Sequence, residues 1–124
     1  MGMEKQRLSE CEAILMRILW EEDCDMSMQE LRAEALENYG KDWAKQTVST
    51  FLKRMEESGY LEGYKEGRIY YYHPLVTKKE YMGNEAVQFC KTWFDGDPVA
   101  MMEAYNKKKK LTPKQKERLR RLFF

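Results

Sequence analysis

Between positions 45 and 54 the chain carries Lys45, Gln46, Thr47, Ser49, Thr50, Lys53 and Arg54, with no acidic residue among them. At a helical period these side chains lie opposite Val48, Phe51, Leu52 and Met55, which form an apolar stripe. The exposed mixture suits the surface of a nucleic-acid duplex. Lys and Arg meet phosphates or guanine edges, Gln pairs with adenine through two hydrogen bonds, and Thr and Ser hydroxyls reach either. Acidic residues return only at Glu56 and Glu57, and Lys65, Arg68 and Tyr70 follow in a β-rich stretch. Singly, each has an ordinary explanation: a solvated helix side, edge-strand charges that block aggregation, a cross-strand aromatic. Taken together they favour duplex binding. The backbone amides at a helix start around Ser27 and Met28 add a further expected phosphate contact.

Other chemistries find little support. His73 is the sole histidine, so neither a catalytic triad nor a zinc site can be assembled around it. Cys11, Cys24 and Cys90 form no CxxC pair and no even framework, which fits a reducing compartment. The acidic run Glu21-Glu22-Asp23-Cys24-Asp25 lacks the glycine and distal glutamate of a calcium loop and reads as a solvated turn. No P-loop, GxSxG or HExxH motif occurs. Glu56 and Glu57 are neighbours on a helix and do not face one site. No catalytic residue, metal or cofactor is expected, and the chain does not read as an enzyme.

The elements that position these residues follow from period and capping. Positions 8–22 read as a helix with Cys11, Ile14, Leu15, Ile18 and Leu19 on one stripe and Ser9-x-x-Glu12 as a capping box. Ser27-x-x-Glu30 opens a second helix, with Met28, Leu31, Ala35 and Tyr39 inward, ending near Gly40. The third runs over about 44–58, with Gly59 placed as a left-handed terminator. The period then falls to two over 60–65 and 68–73, flanking Glu66-Gly67, which predicts a hairpin. Alternation places Tyr71 inward and Tyr70 and Tyr72 outward. Three helices and a hairpin predict a winged helix-turn-helix over 1–76.

Of 124 residues, 35% are charged and 43% hydrophobic, which excludes a disordered chain. No run approaches the ~20 apolar residues of a membrane span, and the first seven residues carry no signal-type segment, so a cytoplasmic protein without membrane insertion is expected. The net charge of +1 hides a division. Up to Val76 there are 10 basic and 15 acidic residues, net −5, and from Thr77 onward 12 and 6, net +6.

Thr77-x-x-Glu80 caps a fourth helix, Asp97-Pro98 opens a short fifth one to about Tyr105, and Thr112-Pro113-x-Gln115 starts a last one. Residues 77–124 are too few to bury so many large apolar side chains alone. Tyr81, Met82, Phe89, Trp93, Met101, Met102, Leu119 and Leu122 are therefore expected to meet a second copy in a helical dimerisation tail. The segment from Glu103 to Lys110, with its four consecutive lysines at 107–110, reads as an exposed connector between two helices. The fold class is mainly α (α+β): a winged helix over 1–76, then helices over 77–124.

These residues also carry a family likeness. Leu8-Ser9-x-x-Glu12 leading into Ile18-Leu19-Trp20, Asp42-Trp43 before Thr47-Val48-x-Thr50, Arg54-Met55-x-x-x-Gly59, and Tyr64-Lys65-x-Gly67-Arg68-x-Tyr70-x-Tyr72 resemble the penicillinase repressor family. These are the BlaI/MecI-type winged-helix repressors of β-lactam resistance in Gram-positive bacteria. The resemblance extends over nearly the whole chain. It implies a homodimer that reads an inverted-repeat operator in double-stranded DNA and blocks transcription. It also implies release by cleavage within the tail, provoked by a membrane-bound sensor protease. Thr47, Thr50 and Arg54 match the family's recognition-helix pattern, whereas Gln46 and Ser49 stand where relatives carry basic residues. The bond cleaved in relatives joins Asn to Phe, and Ala104-Tyr105 aligns with it. An alternative from another class stays open: a winged helix that binds only proteins, through Glu30, Glu34 and Glu37.

Overall fold

The computed structural model describes residues 7–124, and the amino-terminal stretch read for a signal segment lies almost wholly outside them. The element order is α1 (Glu10–Glu22), β1 (Met26–Ser27), α2 (Met28–Tyr39), α3 (Lys45–Glu57), β2 (Leu61–Glu66), β3 (Ile69–Pro74), α4 (Lys78–Phe94), α5 (Pro98–Lys108) and α6 (Pro113–Phe123). The helix starts follow the capping signals. Ser9–Glu12, Ser27–Glu30 and Thr112–Gln115 form reciprocal capping boxes, Thr77 and Glu80 do the same before α4, and Asp97 caps α5 ahead of Pro98. Gly40 ends α2 at φ 65°, and Gly59 follows α3 at φ 82°.

The chain divides into two compact units, the first running to Tyr81 and the second Met82–Phe124. In the first, Leu15, Met16, Ile18 and Leu19 of α1 meet Leu31 and Ala35 of α2 and Val48, Leu52 and Met55 of α3, closed by Met26, Tyr60, Leu61 and Val76. The buried line of α1 is rotated from the expected stripe: Cys11 and Ile14 are only half-buried, whereas Met16 and the carboxylate of Glu12 lie inside. The polar Glu12 on this inner line interrupts the apolar period by which the stripe is read. The α2–α3 turn is held by Arg32 Nε donating to the Trp43 carbonyl at 3.1 Å and by Trp43 edge-on to Phe51 at 5.4 Å.

The wing is a three-stranded antiparallel sheet in the order β1-β3-β2, so a short strand joins the expected hairpin. Met26 pairs with Tyr72 and Ser27 with Tyr71. The turn lies one residue later than expected, since Glu66 pairs with Ile69 and leaves Gly67 and Arg68 in the loop. Gly67, at φ 67°, takes the first central position of the turn, where a side chain would be strained. The tyrosine alternation is present in the opposite phase. Tyr72 packs on the core and shares its face with Tyr70, while Tyr71 stacks with Tyr64 on the other face, with centroids 6.0 Å apart. The reason is β1, which sets buried Met26 opposite Tyr72.

Tyr81, expected at a dimer interface, instead packs in the first unit against Trp20 and Tyr60, at centroid distances of 5.6 and 6.1 Å. Trp20 also donates its indole N–H to the Val76 carbonyl at 2.9 Å, fixing the start of α4.

In the second unit, Cys90 is buried and Met101, Met102 and Leu119 are half-buried, whereas Met82, Phe89, Trp93 and Leu122 are exposed. A groove of about 610 Å³ is lined by Met102, Tyr105, Leu111, Leu119 and Leu122 together with Gln115, Arg118 and Arg121. The fifth helix extends to Lys108, so Ala104 and Tyr105 lie within a helix and not in a linker. Lysines at a helix C-terminus complement the dipole there, and Asn106 Oδ1 accepts from the Leu111 amide at 3.1 Å, which together favour the longer helix.

Candidate nucleic-acid interface

Burial of Val48, Leu52 and Met55 fixes the rotation of α3 and turns Lys45, Gln46, Thr47, Ser49, Thr50, Lys53 and Arg54 outward, all of them exposed. Gln46, Ser49, Thr50 and Lys53 occupy the middle of this face, and Lys45, Thr47 and Arg54 its flanks. Thr50 Oγ1 donates to the Gln46 carbonyl at 3.0 Å, so its hydroxyl proton is spent and its oxygen can only accept. Ala44 supplies no side-chain cap, and α3 therefore begins with amides that no side chain claims, unlike the other five helices. That signal was available in the sequence, as an alanine standing where a capping residue is preferred.

Arg54 carries a contact that sequence reasoning missed. Its Nε lies 3.7 Å from Oε2 of Glu12, a carboxylate only 4% exposed, while the Arg54 side chain itself remains 57% exposed. The expected phosphate contact at Ser27 meets a correction. Its amide donates to Glu30 Oε1 at 2.9 Å and its side chain is buried, so this helix start is occupied by a carboxylate that would repel a phosphate. Met28, half-buried, packs against the core.

On the wing, Lys65, Arg68 and Tyr70 are exposed. Tyr70 lies across β2 because position 63 is glycine: a Cβ there would stand 2.1 Å from the ring. The base of the wing is tied to the α1–α2 loop. Tyr64 donates its hydroxyl to Asp25 Oδ2 at 2.6 Å, and His73 Nδ1 lies 2.8 Å from Asp25 Oδ1. The acidic run is thus not wholly a solvated turn. The bond from Tyr64 holds the Asp25 carboxyl below the usual carboxylate range, and the same bond pushes the Tyr64 phenol up to about 12.

The signs are opposite. A depressed carboxyl stabilises the fold above its unfolded value and loses that contribution as pH falls through the lower folded value. A raised phenol stabilises below its ordinary value near 10 and loses its contribution as pH rises toward about 12. In Asp25→Asn, tyrosinate absorbance is expected to show one tyrosine ionising earlier than in the parent. Superimposable alkaline curves would refute the tie.

Among the described residues no cluster of His, Cys, Asp or Glu is suited to hold a metal, and no helix is long and apolar enough to cross a membrane. A profile of the penicillinase repressor family matches residues 8–123. The chain belongs to the penicillinase repressor family. The penicillinase repressor of Bacillus licheniformis is 24% identical over 96 residues, 77% of this chain and 73% of that protein. The methicillin resistance regulatory protein MecI of Staphylococcus aureus strain N315 is 23% identical over 82 residues, 66% of this chain and 67% of its own.

Two solved structures are similar. The solution structure of the DNA binding domain of the repressor BlaI superposes with a TM-score of 0.54 at 25% identity, covering 64% of this chain and 94% of that one. The Bacillus licheniformis BlaI monomeric form in complex with the blaP half-operator gives 0.52 at 26%, covering 63% and 92%. For a member of the penicillinase repressor family, the exposed side of α3 and the wing are the surfaces to weigh for function.

Proposed function

We propose that this protein is a DNA-binding transcriptional repressor that acts as a homodimer on an inverted-repeat operator. The observation that carries this reading is the outward face of α3, which is free of acid over positions 45–54 and backed by the fully buried Val48 and Leu52. With α3 in the major groove, Gln46, Ser49, Thr50 and Lys53 are nearest the bases, and Lys45, Thr47 and Arg54 meet phosphates. Lys65, Arg68 and Tyr70 extend the contact along the backbone from the wing. The family's relatives, a penicillinase repressor and a methicillin resistance regulator, make resistance genes the first targets to test.

Homodimerisation through the second unit is supported by the large apolar side chains it leaves exposed. Release through a membrane-bound sensor protease requires an extended bond. The non-helical stretch at 109–112 offers one, whereas Ala104-Tyr105 would first have to unwind.

Duplexes selected from a random pool by the purified protein should share an inverted repeat, with binding that falls steeply with salt. Replacing Gln46 by Ala is expected to relax preference at one position of each half-site by ~1–3 kcal/mol, read by repeating the selection. A pool without enrichment and without salt dependence would favour instead a protein-binding module.

A further inference from the structure

Glu12 is the single buried carboxylate among the described residues, 3% exposed on the inner line of α1. Its role in the capping box does not require a charge. Oε1 accepts from the Ser9 amide at 2.8 Å, and at α6 the neutral Gln115 does the same for Thr112 at 3.0 Å. A buried charge without a partner is costly, so one that persists where an amide suffices calls for another role. The second oxygen supplies it. Oε2 faces Arg54 Nε at 3.7 Å, reaching from α1 to the flank of the proposed DNA-reading face on α3.

We propose that Glu12 is a positioning residue for DNA binding, holding the Arg54 guanidinium by its Nε edge so that its terminal nitrogens are presented to a phosphate. The contact uses the inner edge of the guanidinium while the side chain stays 57% exposed. The outer fork is the part that grips phosphate oxygens. A long side chain held in this way loses its rotamer freedom before DNA arrives, not upon binding. The carboxylate is shielded from the duplex by Arg54 itself. The inference rests on the DNA-binding reading given above.

The test turns on a sign. Removing a negative charge from a protein ordinarily tightens its hold on DNA, whereas loss of a positioning residue weakens it. Glu12→Gln keeps the capping acceptor and is expected to fold. Titrated onto a short random-sequence duplex, it should bind roughly tenfold more weakly than the parent, and that penalty should vanish when Arg54→Gln is already present. Arg54→Gln alone should lower the salt slope by about one. Independently of DNA, the Arg54 Nε–H resonance of the free protein should be slow to exchange with solvent in the parent and fast in Glu12→Gln.

Equal or tighter binding by Glu12→Gln, an undiminished penalty in the Arg54→Gln background, or an unchanged Nε–H resonance would each overturn the proposal. If Glu12→Gln proves too unstable to titrate, the parent's Nε–H exchange decides alone, and fast exchange there overturns it. Failure of the parent itself to bind the duplex would overturn the DNA-binding reading instead, and the resonance would still report whether Arg54 is held.

Discussion

Trp93→Glu is expected to split the proposed dimer and to lower affinity for a duplex carrying two half-sites by ~10²–10⁴, with affinity for a single half-site unchanged. Trp93 is 70% exposed on α4, so a charge there touches no core and the fold of one chain should survive. Exposed tryptophans at the centre of an interface are the residues whose loss costs most. In the proposed dimer, the introduced carboxylate would be buried without a partner. Two winged helices joined through their tails bind a two-half-site duplex by effective concentration, and once separated each retains only its own contacts. Sedimentation of the variant beside the parent should show one chain's mass against two. A variant that still sediments as the parent and binds as tightly would place the interface elsewhere.

The second large effect concerns two adjacent residues of α3. Leu52 is fully buried in the first unit, and Lys53 is exposed on the opposite side. Leu52→Ala is expected to cost ~2–5 kcal/mol, because the helices around it relax only in part into the space left behind. Against a total stability of ~5–15 kcal/mol, that leaves the fold marginal, and the thermal midpoint should fall by many degrees. Lys53→Ala should leave the midpoint within a degree or so of the parent and weaken DNA binding chiefly by relaxing preference at the base pair it faces. Thermal denaturation and a salt titration of both variants separate the two effects. If Lys53→Ala moved the midpoint as far as Leu52→Ala, the rotation assigned to α3 would be wrong.

What could be read in advance had local causes. Helix starts followed from residues three apart, such as Ser27 and Glu30, and the hairpin from Gly67 between two β-rich runs. The outward set on α3 followed from period alone, because Val48, Leu52 and Met55 leave it one way to turn. The features that escaped depend on partners distant in the chain. Glu12 meets Arg54 forty-two positions on, and Asp25 meets Tyr64 and His73 thirty-nine and forty-eight positions on. No periodicity reports such pairs. The phase of Tyr70, Tyr71 and Tyr72 also has a distant cause, since it is set by Met26 on a strand of two residues too short to leave a pattern. Tyr81 is likewise held by Trp20 and Tyr60, partners distant in the chain, and is not left for a second copy.

The attachment of the wing has a mechanical result. β1 pairs with β3, and Asp25 grips both strands of the hairpin, so the hairpin cannot swing about its own base without breaking bonds to the α1–α2 loop. The gap between α3 and the wing tip is then a calliper of set width. A hinged wing would adapt to any duplex, but a set calliper rejects those whose backbone does not match its span. On the reading proposed here, mismatched sites must be bent to fit, and their stiffness becomes part of the selection even at base pairs the protein never touches.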